Sequence, residues 1–250
     1  MSAGEAVAIA AAGLGAGAIN TVVGSGTLLT FPVLLGFGYP PVVANVSNTV
    51  GLVPGGLAGT HGYRAELSGQ RRRAVSFAAA SVAGALVGAG LLLALPESAF
   101  KAVVPYLIAG ALALVLAQPW LAARLEARRR RRGFHGSRLT PLALFAIGVY
   151  GGYFGAGQGI LLLAVLSLGL TETLQRVNAL KNVLGTATNL TAAIVFVAAG
   201  PVDWAVAALL AAGSTVGGHL GARVARVLPP AALKAAIVAV GVAAIAKLTV

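Results

Sequence analysis

The sequence predicts an all-α integral membrane protein of two homologous, inverted halves, and three observations carry that prediction. Of 250 residues, 58% are hydrophobic and only 10% charged, whereas a soluble domain carries about 25% charged residues. Second, the charges gather into clusters and leave several uncharged windows of about 20 residues, each long enough to cross ~30 Å of hydrocarbon. Third, two apolar segments are interrupted by glycine turns at corresponding places in the chain.

Apolar segments run at about 5–23, 26–37, 42–62, 75–95, 99–121, 140–154, 158–170, 178–199, 202–221 and 231–249. The turns Gly24-Ser25-Gly26 and Gly155-Ala156-Gly157-Gln158-Gly159 separate the first pair and the sixth from the seventh. The second member of each pair has about 12 residues, too few to span alone. Paired Gly-interrupted segments are the pattern of broken helices around a transporter binding site.

An offset of 131 places Gly24 on Gly155, Gly26 on Gly157 and Gly38 on Gly169. An offset of 133 then aligns Asn45 with Asn178 and Leu57 with Leu190. The chain therefore divides into a first membrane repeat, 1–123, a basic cytoplasmic linker, 124–138, and a second membrane repeat, 139–250.

The formal charge is +12, and 14 of the 18 basic residues are Arg, placed mostly in short loops. That placement marks cytoplasmic loops facing anionic lipid rather than a nucleic-acid surface. Arg64 with Arg71 to Arg73, Arg124 to Arg138, and Arg223, Arg226 and Lys234 mark three such loops. They share one side only if each Gly-broken pair is a re-entrant hairpin, which gives two hairpins, six full spans and both termini outside. Segment 5–23 is long enough to span by itself, and the alternative is eight transmembrane helices. Met1 to Gly17 carries Glu5 and no basic residue, which argues against a cleaved signal peptide.

Lys181 sits beside an apolar segment, where it either snorkels to the interface or binds an anion. Asn45, Asn48, Asn178, Asn182 and Asn189, with Asn20 and Gln158 near the breaks, offer neutral donors to an oxyanion, or act as interhelical glue. Gly17, Gly84, Gly88, Gly217 and Gly221 read as packing glycines. Around Gly24, Ser25, Gly26, Gly155, Gly157, Gln158 and Gly159 a short helix begins, and its N-terminus offers unpaired N–H groups to an anion. The two N-termini, entering from opposite faces, are expected to converge near the bilayer midplane.

No strand precedes these glycines and no Lys-Ser/Thr follows, so a nucleotide loop is excluded. His61, His135 and His219 are dispersed and only six residues are acidic, which leaves no metal cluster, no catalytic dyad and no implied cofactor. There are no cysteines. A homo-oligomer is compatible with this pattern.

The run Ala18 to Gly26, then Leu28 to Pro32, Pro40-Pro41 to Asn48 and Gly62-Tyr63-Arg64, resembles the sulfite exporter TauE/SafE-like membrane family. So do Gly151 to Gly157, Asn178-Ala179-Leu180-Lys181-Asn182 and Val202-Asp203-Trp204 in the second half. The resemblance implies a multi-pass transporter of the prokaryotic cytoplasmic membrane that exports a small anion, sulfite or an organosulfonate. A cation-coupled importer or channel, and a membrane scaffold without transport, are the rival expectations. Thr49 departs from the family's pattern, in which many relatives carry Asn-Lys; Lys181 is then the only candidate for an intramembrane lysine.

Overall fold

The computed structural model describes residues 1–131 and 139–224, and within them every regular element is an α-helix. In chain order these are α1 (Ala3–Val22), α2 (Thr27–Gly36), α3 (Pro41–Gly62), α4 (Arg71–Ala94), α5 (Glu97–Arg131), α6 (Thr140–Tyr153), α7 (Gln158–Gly169), α8 (Leu174–Ala199) and α9 (Trp204–Val224). The predicted segment 231–249, Arg226, Lys234 and His135 lie outside the described residues.

Local chemistry sets the helix ends. Ser2 and Glu5 form a capping box at the start of α1: the Glu5 N–H donates to Ser2 Oγ at 3.2 Å, and the Ser2 N–H donates to Glu5 Oε2 at 3.3 Å. Thr173 Oγ1 caps α8 by accepting from the Arg176 N–H, and Asp203 Oδ1 caps α9 by accepting from the Val206 N–H. α1 stops because Gly24 takes φ +86°, and α6 because Gly155 takes φ +76°, a left-handed turn open mainly to glycine. The stretch predicted as a linker begins as helix, since α5 continues to Arg131; there Arg124 lies 4.1 Å over the Trp120 ring.

Among the described residues five helices have the length and apolarity of a membrane span: α1, α4, α5 as far as Leu121, α8 and α9. α3 has 22 residues but is diluted by Asn45, Ser47, Asn48, Thr49 and two prolines, Pro41 and Pro54. α2 and α7, with 10 and 12 residues, are apolar but short.

Each short helix turns back toward the end from which its partner came. The Tyr39 hydroxyl, just after α2, donates to Glu5 Oε1 near the start of α1 at 2.9 Å. At that end of the molecule the Asp203 N–H also donates to Ser47 Oγ at 2.8 Å. Gly169, closing α7, lies beside Thr140, which opens α6: a Cβ on Gly169 would stand 3.1 Å from Thr140 Oγ1.

At the opposite end the α3–α4 and α7–α8 connections are linked by charge. Arg73 Nη1 and Arg176 Nε donate to the two oxygens of Glu172 at 2.9 and 2.7 Å, while Arg176 Nη2 donates to Ser68 O at 3.1 Å.

Each hairpin is clasped by a helix from the other half of the sequence. α1 packs on α9 and α6 packs on α4, with backbones close enough that a Cβ on Gly17 would meet Ser214 O at 2.2 Å and one on Gly88 would meet Val149 O at 2.0 Å. Gly84 and Gly217 come as close, with a Cβ 2.1 Å from Phe145 O and 1.9 Å from Leu14 O, and Gly221 somewhat less so, at 2.8 Å from Ala18 Cα. All five glycines read as packing residues do pack, as expected where helix association depends on close van der Waals contact rather than on the hydrophobic effect. Under the breaks, Phe31 lies edge-on to Phe154 and Phe100, with centroids 5.2 and 6.5 Å away.

Two measurements test this frame. Gly24→Ala places a Cβ 2.4 Å from Gly159 Cα in addition to the strain of φ +86°, whereas Gly38, at φ +88°, has nothing within 4 Å. Unfolding of the purified protein is expected to show a loss of about 1–2 kcal/mol for Gly38→Ala and roughly 1–3 kcal/mol more for Gly24→Ala; equal losses would refute the contact. Hydrogen bonds from Arg73 and Arg176 hold the Glu172 carboxyl below its usual value of 4.5. A depressed folded-state pKa adds stability that is present above the unfolded value and lost as pH falls through the folded one. Wild type is therefore expected to exceed Glu172→Gln in stability above pH 4.5 and to converge with it at more acidic pH.

Candidate functional site

The two glycine breaks touch. The Gly159 N–H donates to Gly24 O at 3.0 Å, and a Cβ on either glycine would stand 2.4 Å from the other's Cα. The sequence expectation that the two breaks converge is met by direct backbone contact.

A cavity of about 40 Å³ opens at this contact, lined by Asn20, Thr21, Gly24, Thr27, Gly56, Gly155, Gln158, Gly159, Lys181, Asn182, Gly185, Thr186 and Asn189. A water needs roughly 10–15 Å³ of such space, so the volume corresponds to about three waters or one four-atom anion. Among the described residues no carboxylate lines it.

Lys181 is 2% exposed and does not snorkel. Its Nζ donates to Asn20 O at 2.9 Å and to Thr21 O at 3.0 Å. These carbonyls are left over at the end of α1, because Ile19 O takes the N–H of both Val23 and Gly24. An ammonium there satisfies orphan acceptors and meets the negative end of the helix dipole. Burying an ammonium at membrane depth is costly even so, on the order of 2.5–3.5 kcal/mol on insertion scales. Two of its three protons go to neutral carbonyls, and the third donor position and the whole positive charge remain for a ligand.

Several amides that the sequence offered to a substrate are engaged with the protein. Asn178 Nδ2 and Asn182 Nδ2 both donate to Thr21 O at 3.3 Å, so three residues of one α8 face converge on the end of α1. Asn45 Nδ2 donates to Tyr153 O at 3.0 Å at the end of α6. Asn48 accepts from Thr30 Oγ1 at 2.5 Å and donates to Thr27 Oγ1 at 3.3 Å. The physical reason is common to all: a helix broken inside apolar surroundings leaves carbonyls that the protein must satisfy itself.

The short-helix N-termini are likewise less open than expected. The Gly26 N–H donates to Asn20 Oδ1 at 2.6 Å, and the Gly159 N–H is taken by Gly24. Gly157, at φ +75°, shapes the turn but lies off the cavity, as do Ser25, Gly26, Asn45, Asn48 and Asn178.

Of the predicted site residues, Gly24, Gly155, Gln158, Gly159, Lys181 and Asn182 line the cavity. Gln158 is 4% exposed and its Nε2 has no acceptor among the described residues, which leaves a buried donor beside Lys181. Sequence reasoning missed Thr21, Thr27, Gly56, Gly185 and Thr186. The spacing Lys181, Gly185, Asn189 with Asn182, Thr186 is one face of α8 and was the available signal.

The profile of the family described as sulfite exporter TauE/SafE matches residues 9–248. A probable membrane transporter protein of Haemophilus influenzae is 31% identical over 212 residues, 82% of this chain and 79% of that protein. A probable membrane transporter protein, ORF9, of Sinorhizobium sp. is 29% identical over 91% of this chain and 86% of its own length. The probable membrane transporter protein YfcA of Escherichia coli K12 is 26% identical over 83% and 76%. No solved structure matches significantly. With buried polar helix breaks inside apolar helices and a profile match over nearly its whole length, the chain belongs to the sulfite exporter TauE/SafE family of membrane transporters and is not an enzyme.

Proposed function

We propose that this transporter carries a small oxyanion, sulfite or an organosulfonate, outward across the prokaryotic cytoplasmic membrane through the cavity at the glycine breaks. One observation carries the reading: a buried ammonium whose partners are neutral carbonyls lines a cavity with no carboxylate among the described residues. An anion supplies the missing countercharge, Lys181 supplies the full charge, and Asn182 and Gln158 complete the polar lining. The cavity volume favours a four-atom oxyanion over a long-tailed sulfonate.

Two inverted halves, 1–123 and 139–250, entering from opposite faces account for the opposed hairpins and for the reciprocal packing of α1 on α9 and α6 on α4. With the Arg-rich end inside, an anion leaves a cell that is negative inside with a gain of about 2.3 kcal/mol per charge per 100 mV. Export then needs no carboxylate relay.

In proteoliposomes, Lys181→Met is expected to lower sulfite efflux by about 10- to 100-fold, the worth of one hydrogen bond to a charged group. Unchanged efflux at equal reconstituted amounts would remove Lys181 from the site. The chain has no native cysteine, so single-cysteine labelling reads the orientation. Ser2→Cys is expected to react with an impermeant maleimide from outside and Ser68→Cys only after permeabilisation; the reverse pattern would overturn the orientation.

A further inference from the structure

We infer that the C-terminal end of α6 binds a monovalent metal cation, Na⁺ or K⁺, where the corresponding end of α1 receives the Lys181 ammonium. This site adjoins the anion cavity through Gln158, whose side chain packs on Gly151, but none of its own oxygens comes from a cavity-lining residue and it does not depend on which anion is carried.

The two helix ends are built alike. Ile19 O accepts from the N–H of Val23 and Gly24 at 2.7 and 2.9 Å; Tyr150 O accepts from the N–H of Phe154 and Gly155 at 2.9 and 3.1 Å. Ile19 and Tyr150 stand 150 − 19 = 131 positions apart, the offset that aligns Gly24 with Gly155. Each ending spends two N–H groups on one carbonyl and strands the next two. These are Asn20 O and Thr21 O in α1, and Gly151 O and Gly152 O in α6.

From there the two ends differ. In α1 the stranded pair receives Lys181 Nζ. In α6 both glycines are buried, and no described residue donates to either carbonyl. The position equivalent to Lys181 at the offset of 133 is Asn48, whose amide is held by Thr27 and Thr30 of α2.

A second observation points to the same ligand. Asn45 is 1% exposed; its Nδ2 touches the next carbonyl, Tyr153 O, while its Oδ1 has no donor among the described residues. Gly151 O, Gly152 O and Asn45 Oδ1 thus sit at the negative end of a helix with no hydrogen-bond donor and no cationic side chain on them among the described residues, although the unpaired Gln158 amide packs beside Gly151. Neutral oxygens in a water-poor interior suit an alkali cation, as unwound helix ends do in other transporters. Divalent ions call for carboxylates.

The test uses purified full-length protein without sulfite, in gluconate salts of equal ionic strength. Replacing choline by Na⁺ or K⁺ is expected to raise the unfolding temperature saturably, by about 3–5 °C at ten times the half-saturating concentration. Asn45→Asp is expected to lower that concentration about tenfold, Asn45→Ala to abolish the increment, and Lys181→Met to retain it. Equal unfolding temperatures in choline, Na⁺ and K⁺ would overturn the inference. So would loss of the increment in Lys181→Met, or an unchanged half-saturating concentration in Asn45→Asp should Asn45→Ala not fold.

Discussion

The backbone contact between Gly24 and Gly159 is the constraint on which the rest of the structure depends. Two chains approach there with no side chain between them, and one N–H···O bond joins them. Glycine is required at Gly24 twice over, by its left-handed φ and by the neighbour. Once the breaks meet, the C-terminal ends of α1 and α6 and the N-terminal ends of α2 and α7 are gathered in one region of an apolar molecule. Their unpaired backbone groups must then be answered by protein.

How they are answered makes the site. One face of α8 delivers Asn178, Lys181 and Asn182 to the end of α1, while α3 delivers Asn45 to the end of α6. Lys181 and Asn182, which stabilise the broken end of α1, therefore also line the cavity. The asymmetry lies in the charge. An ammonium retained between neutral carbonyls is stabilised by the helix end but not neutralised by it, which is the feature on which the proposed anion site rests.

Much of this was legible in the sequence. The nine predicted apolar segments among the described residues correspond to α1 to α9, because hydrophobic length and glycine punctuation are strong local signals. The packing role of Gly17 and Gly88, and the meeting of the two breaks, followed from small-residue spacing and the internal repeat. Two things were not legible. The partners of Asn45 and Asn178 lie more than 100 positions away, and a sequence shows that an amide is available without showing what takes it. Cavity residues without functional groups, Gly56 and Gly185, matter for the space they leave, which only packing reveals. α5 also overran its predicted end, since helix continues through arginines wherever the chain reaches water.

The most direct test of the central claim is the position of the anion itself. Selenite reproduces the shape and charge of sulfite, and crystals grown with it and measured at the selenium edge would locate it without assumption. An anomalous peak is expected in the cavity between Gly24 and Gly159, within about 3 Å of Lys181 Nζ. A peak bound elsewhere with this cavity empty would contradict it.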